Sequence, residues 1–319
     1  MARPDLHVTT RALGTTGIEL STIGLGGFEL GDDSAWEGAG SILTAAVESG
    51  TNWIDTAEAY SNTKNEDVIA AALRSTGVDL LVSTKVAPSP DGSGFEPEHV
   101  RSACEHSLRR LGIAVIDMYL LHWPDDTGVP LEDTWGAMRA LVDDGLTRTV
   151  GLSNFTIDEI ERCLAVGPVD LVQEGLSPID HLDTRDLARW CAGRGIGVVT
   201  YEPLGNGMLA GAINDPTDFA RVVDDYEEWG FWKRLFAPGK FERSQAVADG
   251  MAEIANGLGC TLAQLALAWN VQQAGVTSTL AGSRNPVHVR ENGQAAHVVL
   301  TRDVLAQIDV LVQQGPLFD

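Results

Sequence analysis

A chain of 319 residues, 44% hydrophobic and 21% charged, has the composition of a folded globular protein able to bury a sizeable core, which excludes disorder as the default. Its 45 acidic residues against 22 Lys and Arg give a formal net charge of −23, which repels phosphate backbones and anionic lipid headgroups and excludes nucleic acid and membrane surfaces as main partners. No run approaches the roughly 20 apolar residues of a membrane span, and Met1 to Thr10 lacks the apolar core of a signal peptide, so the expected location is cytoplasmic. Cys104, Cys163, Cys191 and Cys260 are scattered without a C-x-x-C pair, which argues against a disulfide framework or a metal site.

Arg11 to Leu20 reads as two short extended pieces around Gly14-Thr15-Thr16-Gly17, a β-hairpin ahead of the glycine-rich exit Gly24-Leu25-Gly26-Gly27. Thr22 to Leu25 is the first of a series of strands. Trp53-Ile54 precedes a helix over Val68 to Leu73, Leu80 to Val82 one over Val100 to Leu111, and Ile116 to Leu121 one over Trp135 to Val142. Thr149 to Leu152 precedes a helix after Thr156, and Val169 to Val172 one after Asp183, with Asp183-Thr184 as its cap and Gly193 and Gly195 as its stop. Val198 to Thr200 opens a longer interval that closes at Ser278 to Ala281, followed by a helix from about Pro286 and an extra one over Thr301 to Val312.

Eight βα units predict a parallel sheet closed into a (β/α)8 TIM barrel, an α/β fold with an N-terminal β-hairpin and an extra C-terminal helix. Barrels of this length are one domain, here 1–319. Within the long interval, residues 205–243 are rich in Gly, Pro, Asp and aromatics and read as an inserted loop, either a lid over a pocket or a surface excursion packed by its own aromatics. No G-x-G-x-x-G stands between a strand and a helix, which excludes a Rossmann domain.

The apolar runs stop at polar residues. Trp53-Ile54 meets Asp55, Ser83-Thr84 meets Lys85, Leu120-Leu121 meets His122, Gly151-Leu152 meets Ser153-Asn154, Leu171-Val172 meets Gln173 and Val199-Thr200 meets Tyr201. In a (β/α)8 barrel these C-terminal strand ends converge on one face, where catalytic loops sit. Taken singly each has a plainer reading: Asp55 as a turn acid, Lys85 as a snorkelling lysine, His122 as a hydrogen-bonded core histidine, Tyr60 as a loop aromatic.

Six stretches resemble the aldo-keto reductase superfamily, spread over nearly the whole chain: Asn52-Trp53-Ile54-Asp55-Thr56-Ala57-Glu58-Ala59-Tyr60, Ser83-Thr84-Lys85, Leu120-Leu121-His122-Trp123-Pro124-Asp125, Gly151-Leu152-Ser153-Asn154-Phe155, Tyr201-Glu202-Pro203-Leu204-Gly205, and Gly282-Ser283-Arg284 leading to Glu291-Asn292. The resemblance implies a catalytic tetrad on Asp55, Tyr60, Lys85 and His122 that reduces a carbonyl to an alcohol. Tyr60 would be the general acid, Lys85 would stabilise its phenolate, Asp55 would hold Lys85, and His122 would orient the carbonyl.

The same resemblance places Ser153, Asn154 and Gln173 on a nicotinamide carboxamide with Tyr201 on its ring, Pro203, Leu204 and Gly205 by the pyrophosphate, and Gly282, Ser283, Arg284, His288, Glu291 and Asn292 around the adenosine phosphate. Arg284 suits a 2′-phosphate, so NADPH is expected over NADH. Two positions depart from the family: Glu202 stands where Ser is frequent, and a carboxylate there is repelled by the pyrophosphate unless it turns away, while His288 replaces a Gln or Arg. Phe28 and Trp123 are expected to line the pocket of a small carbonyl substrate, an aldehyde, ketone or keto sugar, against the plainer reading of both as core aromatics. The alternatives are a cofactor-binding regulatory subunit resembling the potassium-channel β-subunits and a biosynthetic keto-sugar or enone reductase; the intact His122 favours carbonyl over enone reduction.

Overall fold

The computed structural model describes residues 9–31, 38–180, 182–215, 218 and 239–314. Strands β1 (Thr10–Ala12) and β2 (Glu19–Ser21) pair antiparallel, with Thr10 opposite Ser21. The turn between them brings Gly14, at φ +53°, so near the Gly195 carbonyl that a Cβ would lie 2.3 Å from its oxygen, a position only glycine fills. Leu13, Ile18 and Leu20 of this hairpin are buried against Trp53, Met118, Leu120, Leu171 and Val199, so the hairpin stoppers the N-terminal end of the barrel.

That barrel is closed by eight parallel strands: β3 (Ile23–Gly26), β4 (Trp53–Asp55), β5 (Leu81–Val86), β6 (Ile116–Leu121), β7 (Thr147–Ser153), β8 (Leu171–Gly175), β9 (Gly197–Tyr201) and β10 (Ser278–Ala281), with β10 pairing β3 and β9. Helices α1 (Ala39–Glu48), α2 (Lys64–Thr76), α3 (Pro97–Leu111), α4 (Leu131–Asp143), α5 (Ile157–Val166) and α6 (Thr184–Ala192) follow β3 to β8 in turn. After β9 come α7 (Lys240–Leu258) and α8 (Leu262–Val271), and after β10 come α9 (Pro286–Gln294) and α10 (Arg302–Gln314). The expected (β/α)8 TIM barrel, its N-terminal hairpin and its extra C-terminal helix are all present.

Two local expectations differ. The interval before β10 holds α7 and α8, and α7 begins inside the stretch 205–243. Every residue of α8 from Leu265 to Val271 is buried, so that helix has no polar face for a periodicity to reveal. At the head of α6, Asp183 already has helical backbone angles (φ −62°, ψ −26°) and its side chain makes no cap; a capping side chain needs an extended backbone. Thr184 donates instead to the Gly175 carbonyl at 2.6 Å. The lid expected over 205–243 falls largely on residues 216–217 and 219–238, outside the described residues, while Gly205–Ala210 is a 3-10 segment kinked at the left-handed Asn206 and Gly207.

Alternation along the strands sorts the barrel interior into layers. On β5, Leu81, Ser83 and Lys85 face inward while Val82, Thr84 and Val86 face the helices; Trp53, Met118, Leu120, Leu171, Val199 and Leu280 fill the lower interior. Space for the Trp53 ring comes from Gly24 on the neighbouring strand, where a Cβ would sit 2.2 Å from a ring carbon. Gly24→Ala is therefore expected to overpack this layer and lower stability by about 1–3 kcal/mol, read by chemical denaturation; an unchanged midpoint would refute the account. Outside the barrel Cys104, Cys163 and Cys191 are buried thiols that burial pushes up to about 12, in keeping with packing residues. Among the described residues no helix is long and apolar enough to cross a membrane, and no group of three or more His, Cys, Asp or Glu is placed to hold a metal.

Candidate active site

At the C-terminal end of the barrel the inward positions become polar. Asp55 closes β4, and Lys85 Nζ donates to its Oδ2 at 2.5 Å and to the Thr56 carbonyl at 2.8 Å. The same ammonium lies 3.3 Å from the Tyr60 hydroxyl, which the loop between β4 and α2 carries. Asp55 Oδ1 accepts from Ser83 Oγ at 2.8 Å and from Gln173 Nε2 at 3.0 Å. Lys85 is 0% and Asp55 3% exposed, a burial that a charged pair tolerates only with its hydrogen bonds filled, as here.

Burial raises the Tyr60 phenol well above its ordinary value, and the negative charges of Asp55 and Glu202 push it the same way. For Lys85 burial lowers the ammonium, opposed by the charge and hydrogen bond of Asp55 and by Glu66. His122 follows β6 and sets its ring 5.4 Å from that of Tyr60 and 4.4 Å from that of Trp123. Burial first, then the Lys85 charge, hold this imidazole well below its usual range, so it is neutral at neutral pH. Its Nδ1 is buried without a hydrogen-bond partner.

Across the barrel mouth a second row continues from the first. Asn154, at φ +68°, donates through Nδ2 to the His122 carbonyl at 2.9 Å and to Ser153 Oγ at 3.1 Å, and its Oδ1 accepts from the Tyr201 hydroxyl at 2.6 Å. Phe28 stands edge-on to Tyr60 with ring centroids 4.9 Å apart. Asp55, Tyr60, Lys85, His122, Ser153, Asn154, Gln173, Tyr201, Phe28 and Trp123 thus form one connected constellation.

The remaining expected residues lie outside this hydrogen-bond network. Pro203 and Leu204 lead into Gly205, Asn206 and Gly207, three successive left-handed residues (φ +52°, +55°, +96°), and the buried Asn206 Nδ2 has no partner. Gly282 leaves β10 against Gly26, where a Cβ would come within 3.0 Å of the Gly26 oxygen. Ser283 Oγ accepts from the Asn285 N–H at the start of α9; Arg284, His288 and Glu291 are exposed there, and Asn292 is buried. Glu202, half-buried at φ +55°, stays close enough for its charge to raise both Tyr60 and Tyr201.

Three contributors went unmarked in the sequence. Ser83 holds Asp55, and the period-2 rule would have found it, two residues before Lys85 on the same face. The Thr56 carbonyl, a backbone group, leaves no signal. Asn65, fully buried, accepts from Thr56 Oγ1 at 2.5 Å and donates to the Gly27 and Phe28 carbonyls at 2.8 and 3.3 Å, tying the Phe28 wall to the Tyr60 loop.

Behind the second row, Glu174 Oε1 accepts from the Phe155 N–H at 3.0 Å, and burial raises its carboxyl to about 8 against the pull of that bond and of the Asn154 N–H. A carboxyl with a higher pKa folded than unfolded makes the native state hold the extra proton, so stability is lost as pH climbs from the ordinary carboxylate range towards about 8. Glu174→Gln is expected to flatten that slope. In melts taken from about pH 5 to about pH 8 the wild type should lose stability relative to the variant by up to about 1.4 kcal/mol per pH unit, and parallel curves would refute it.

The Aldo/keto reductase family matches residues 22–313. A relative from Arabidopsis thaliana, described as a probable voltage-gated potassium channel subunit beta, is 30% identical over 323 residues, covering 95% of this chain and 96% of that protein. Among solved structures, the glycerol dehydrogenase of Gluconobacter oxydans superposes with a TM-score of 0.86 at 26% identity over 98% of both chains. An aldo/keto reductase of Klebsiella pneumoniae, solved with NADP and acetate, does so at 0.75 and 29% identity over 96% of both. Since the match runs from the first barrel strand into the last helix, this chain belongs to the aldo/keto reductase family.

Proposed function

We propose that this protein reduces an aldehyde, ketone or keto sugar to an alcohol with NADPH, using Asp55, Tyr60, Lys85 and His122. The observation that carries the reading is Lys85 Nζ in contact with both Asp55 Oδ2 and the Tyr60 hydroxyl inside a buried polar layer. The Klebsiella pneumoniae relatives solved with NADP and NADPH support the choice of cofactor.

The residues fit such a dinucleotide. Buried His122 Nδ1 and Asn206 Nδ2 lack partners that a ligand would supply, and Leu204 (φ −99°, ψ 9°) followed by left-handed Gly205 (φ +52°) is the right-to-left backbone step that makes anion-binding concavities. Pro203, Leu204 and Gly205 would hold the pyrophosphate, and Gly282, Ser283, Arg284, His288, Glu291 and Asn292 the adenosine phosphate. Ser153, Asn154 and Gln173 would hold the carboxamide, with Tyr201 against the ring. Gln173 Nε2 is committed to Asp55, so its amide oxygen is the atom left to accept from that carboxamide. When bound, NADPH supplies the hydride.

The chain supplies orientation and the proton. Neutral His122 donates a ring N–H to the carbonyl oxygen and fixes its direction. As negative charge gathers on that oxygen, Tyr60 passes its phenolic proton to it; an alkoxide is a stronger base than even a buried phenolate. Lys85 stabilises the phenolate left behind, and Asp55 keeps Lys85 charged and in place. Run backwards, the same groups oxidise an alcohol, the direction named for the Gluconobacter oxydans relative.

A cofactor-binding regulatory subunit is the second reading, favoured by the Arabidopsis thaliana relative. Fluorescence titration with NADPH and NADH, followed by NADPH consumption on aldehydes, ketones and keto sugars, separates the two. Turnover that depends on Tyr60 supports the reductase. Tight binding with no turnover on the panel favours the regulatory subunit, and no binding overturns both.

A further inference from the structure

On the outer side of β5, behind Lys85, a second set of charged side chains is packed together. Glu66, fully buried in the first turn of α2, accepts from Thr84 Oγ1 at 2.7 Å and from Arg110 Nε at 2.6 Å. Arg110, on α3, also comes within 3.8 Å of Glu58. Glu58 lies in the chain between Asp55 and Tyr60. Its backbone N–H donates to the Lys85 carbonyl at 3.2 Å, and its Oε1 accepts the Ala87 N–H at 2.9 Å. His99 Nε2 meets the Ala87 carbonyl at 2.9 Å, so both backbone groups of Ala87 are held by side chains.

The consequence is a splice between two chain segments. One carries Tyr60, the other Lys85, and Glu58 bonds the first to the second at Lys85 and again at Ala87. The spliced loop needs restraint, because Ser61, Asn62 and Thr63, directly after Tyr60, are all left-handed at φ +51°, +52° and +72°. Non-glycine residues keep that conformation only where their surroundings impose it. Asn65 restrains the loop from the Phe28 side, and Glu58 restrains it from the β5 side.

We infer that Glu58 is a positioning residue, which clamps the Tyr60 loop to Ala87 and so sets the Tyr60 hydroxyl against Lys85 Nζ, with Arg110 balancing its charge. This rests on the proposed role of Tyr60. A displacement of the order of 1 Å at a reacting group costs roughly 100-fold in rate, so losing the clamp should be felt in turnover rather than in cofactor binding.

The test compares full-length wild type, Glu58→Ala, Glu58→Gln and Tyr60→Phe by NADPH titration, by steady-state reduction of the best carbonyl of the panel, and by hydrogen–deuterium exchange of residues 56–63. Glu58→Ala should lower kcat by about 30-fold or more with KM and NADPH affinity within about 3-fold, and should speed exchange in the loop. In Glu58→Gln the amide oxygen still accepts the Ala87 N–H, so both properties should return close to wild type. Wild-type turnover and exchange in Glu58→Ala would overturn the inference. So would a parallel fall in melting temperature, NADPH binding and kcat that Glu58→Gln fails to rescue, which would assign Glu58 to general stability. A Tyr60→Phe variant as active as wild type would sink the reductase chemistry instead, while the exchange comparison still decides whether Glu58 clamps the loop.

Discussion

Tyr60→Phe is expected to lower kcat by about 10²–10⁴-fold while leaving NADPH binding intact, the range that a positioned general acid contributes. Phenylalanine keeps the ring that Phe28 meets edge-on at 4.9 Å and that lies 5.4 Å from His122, so the shape of the pocket survives. What disappears is the hydroxyl 3.3 Å from Lys85 Nζ, a long contact whose loss costs the fold little because Lys85 retains Asp55 and the Thr56 carbonyl. Burial moves Tyr60 up and His122 down, so neither changes charge near neutrality, and the wild-type rate of reduction should be level across that range. Paired kcat and NADPH titrations check the first claim and a pH profile the second. A Tyr60→Phe enzyme within a few-fold of wild type would remove Tyr60 from the chemistry.

Much of this site could be read before the fold was known, for a physical reason. In a parallel barrel every strand ends on the same face, so a polar residue closing an apolar run points to one shared pocket whatever its place in the sequence. Asp55, Lys85, His122, Ser153 and Gln173 were legible in that way, and so was the barrel itself. What stayed hidden depends on contacts between elements distant in sequence. The Glu58, Glu66 and Arg110 cluster joins a loop, α2 and α3 behind β5, and on a sequence each of the three is an ordinary helix or loop charge. Asn65 looks like any residue at a helix start until its side chain is seen filling the gap between Thr56 and Gly27. The helix α8 escaped because it is buried all round, and Asp183 because a cap depends on backbone angles that composition does not fix.

Lys85→Met should be the most destabilising of the site variants, by about 3–5 kcal/mol, because it removes one partner of a buried pair and keeps the other. Asp55 would remain 3% exposed, with Ser83 and Gln173 still donating to Oδ1 but the 2.5 Å donor at Oδ2 gone. The Thr56 carbonyl would lose its ammonium at the same time. Methionine fills most of the lysine volume, so a cavity is not the cause. If the uncompensated carboxylate is the cause, adding Asp55→Asn should restore about 2 kcal/mol, since an amide in that position carries no charge to desolvate and still accepts from Ser83. Chemical denaturation of the two single variants and the double variant measures the coupling directly. A double variant less stable than Lys85→Met would mean that the buried charge of Asp55 is held by its neutral donors, Ser83 and Gln173, and that Lys85 is kept beside it for the sake of Tyr60 alone.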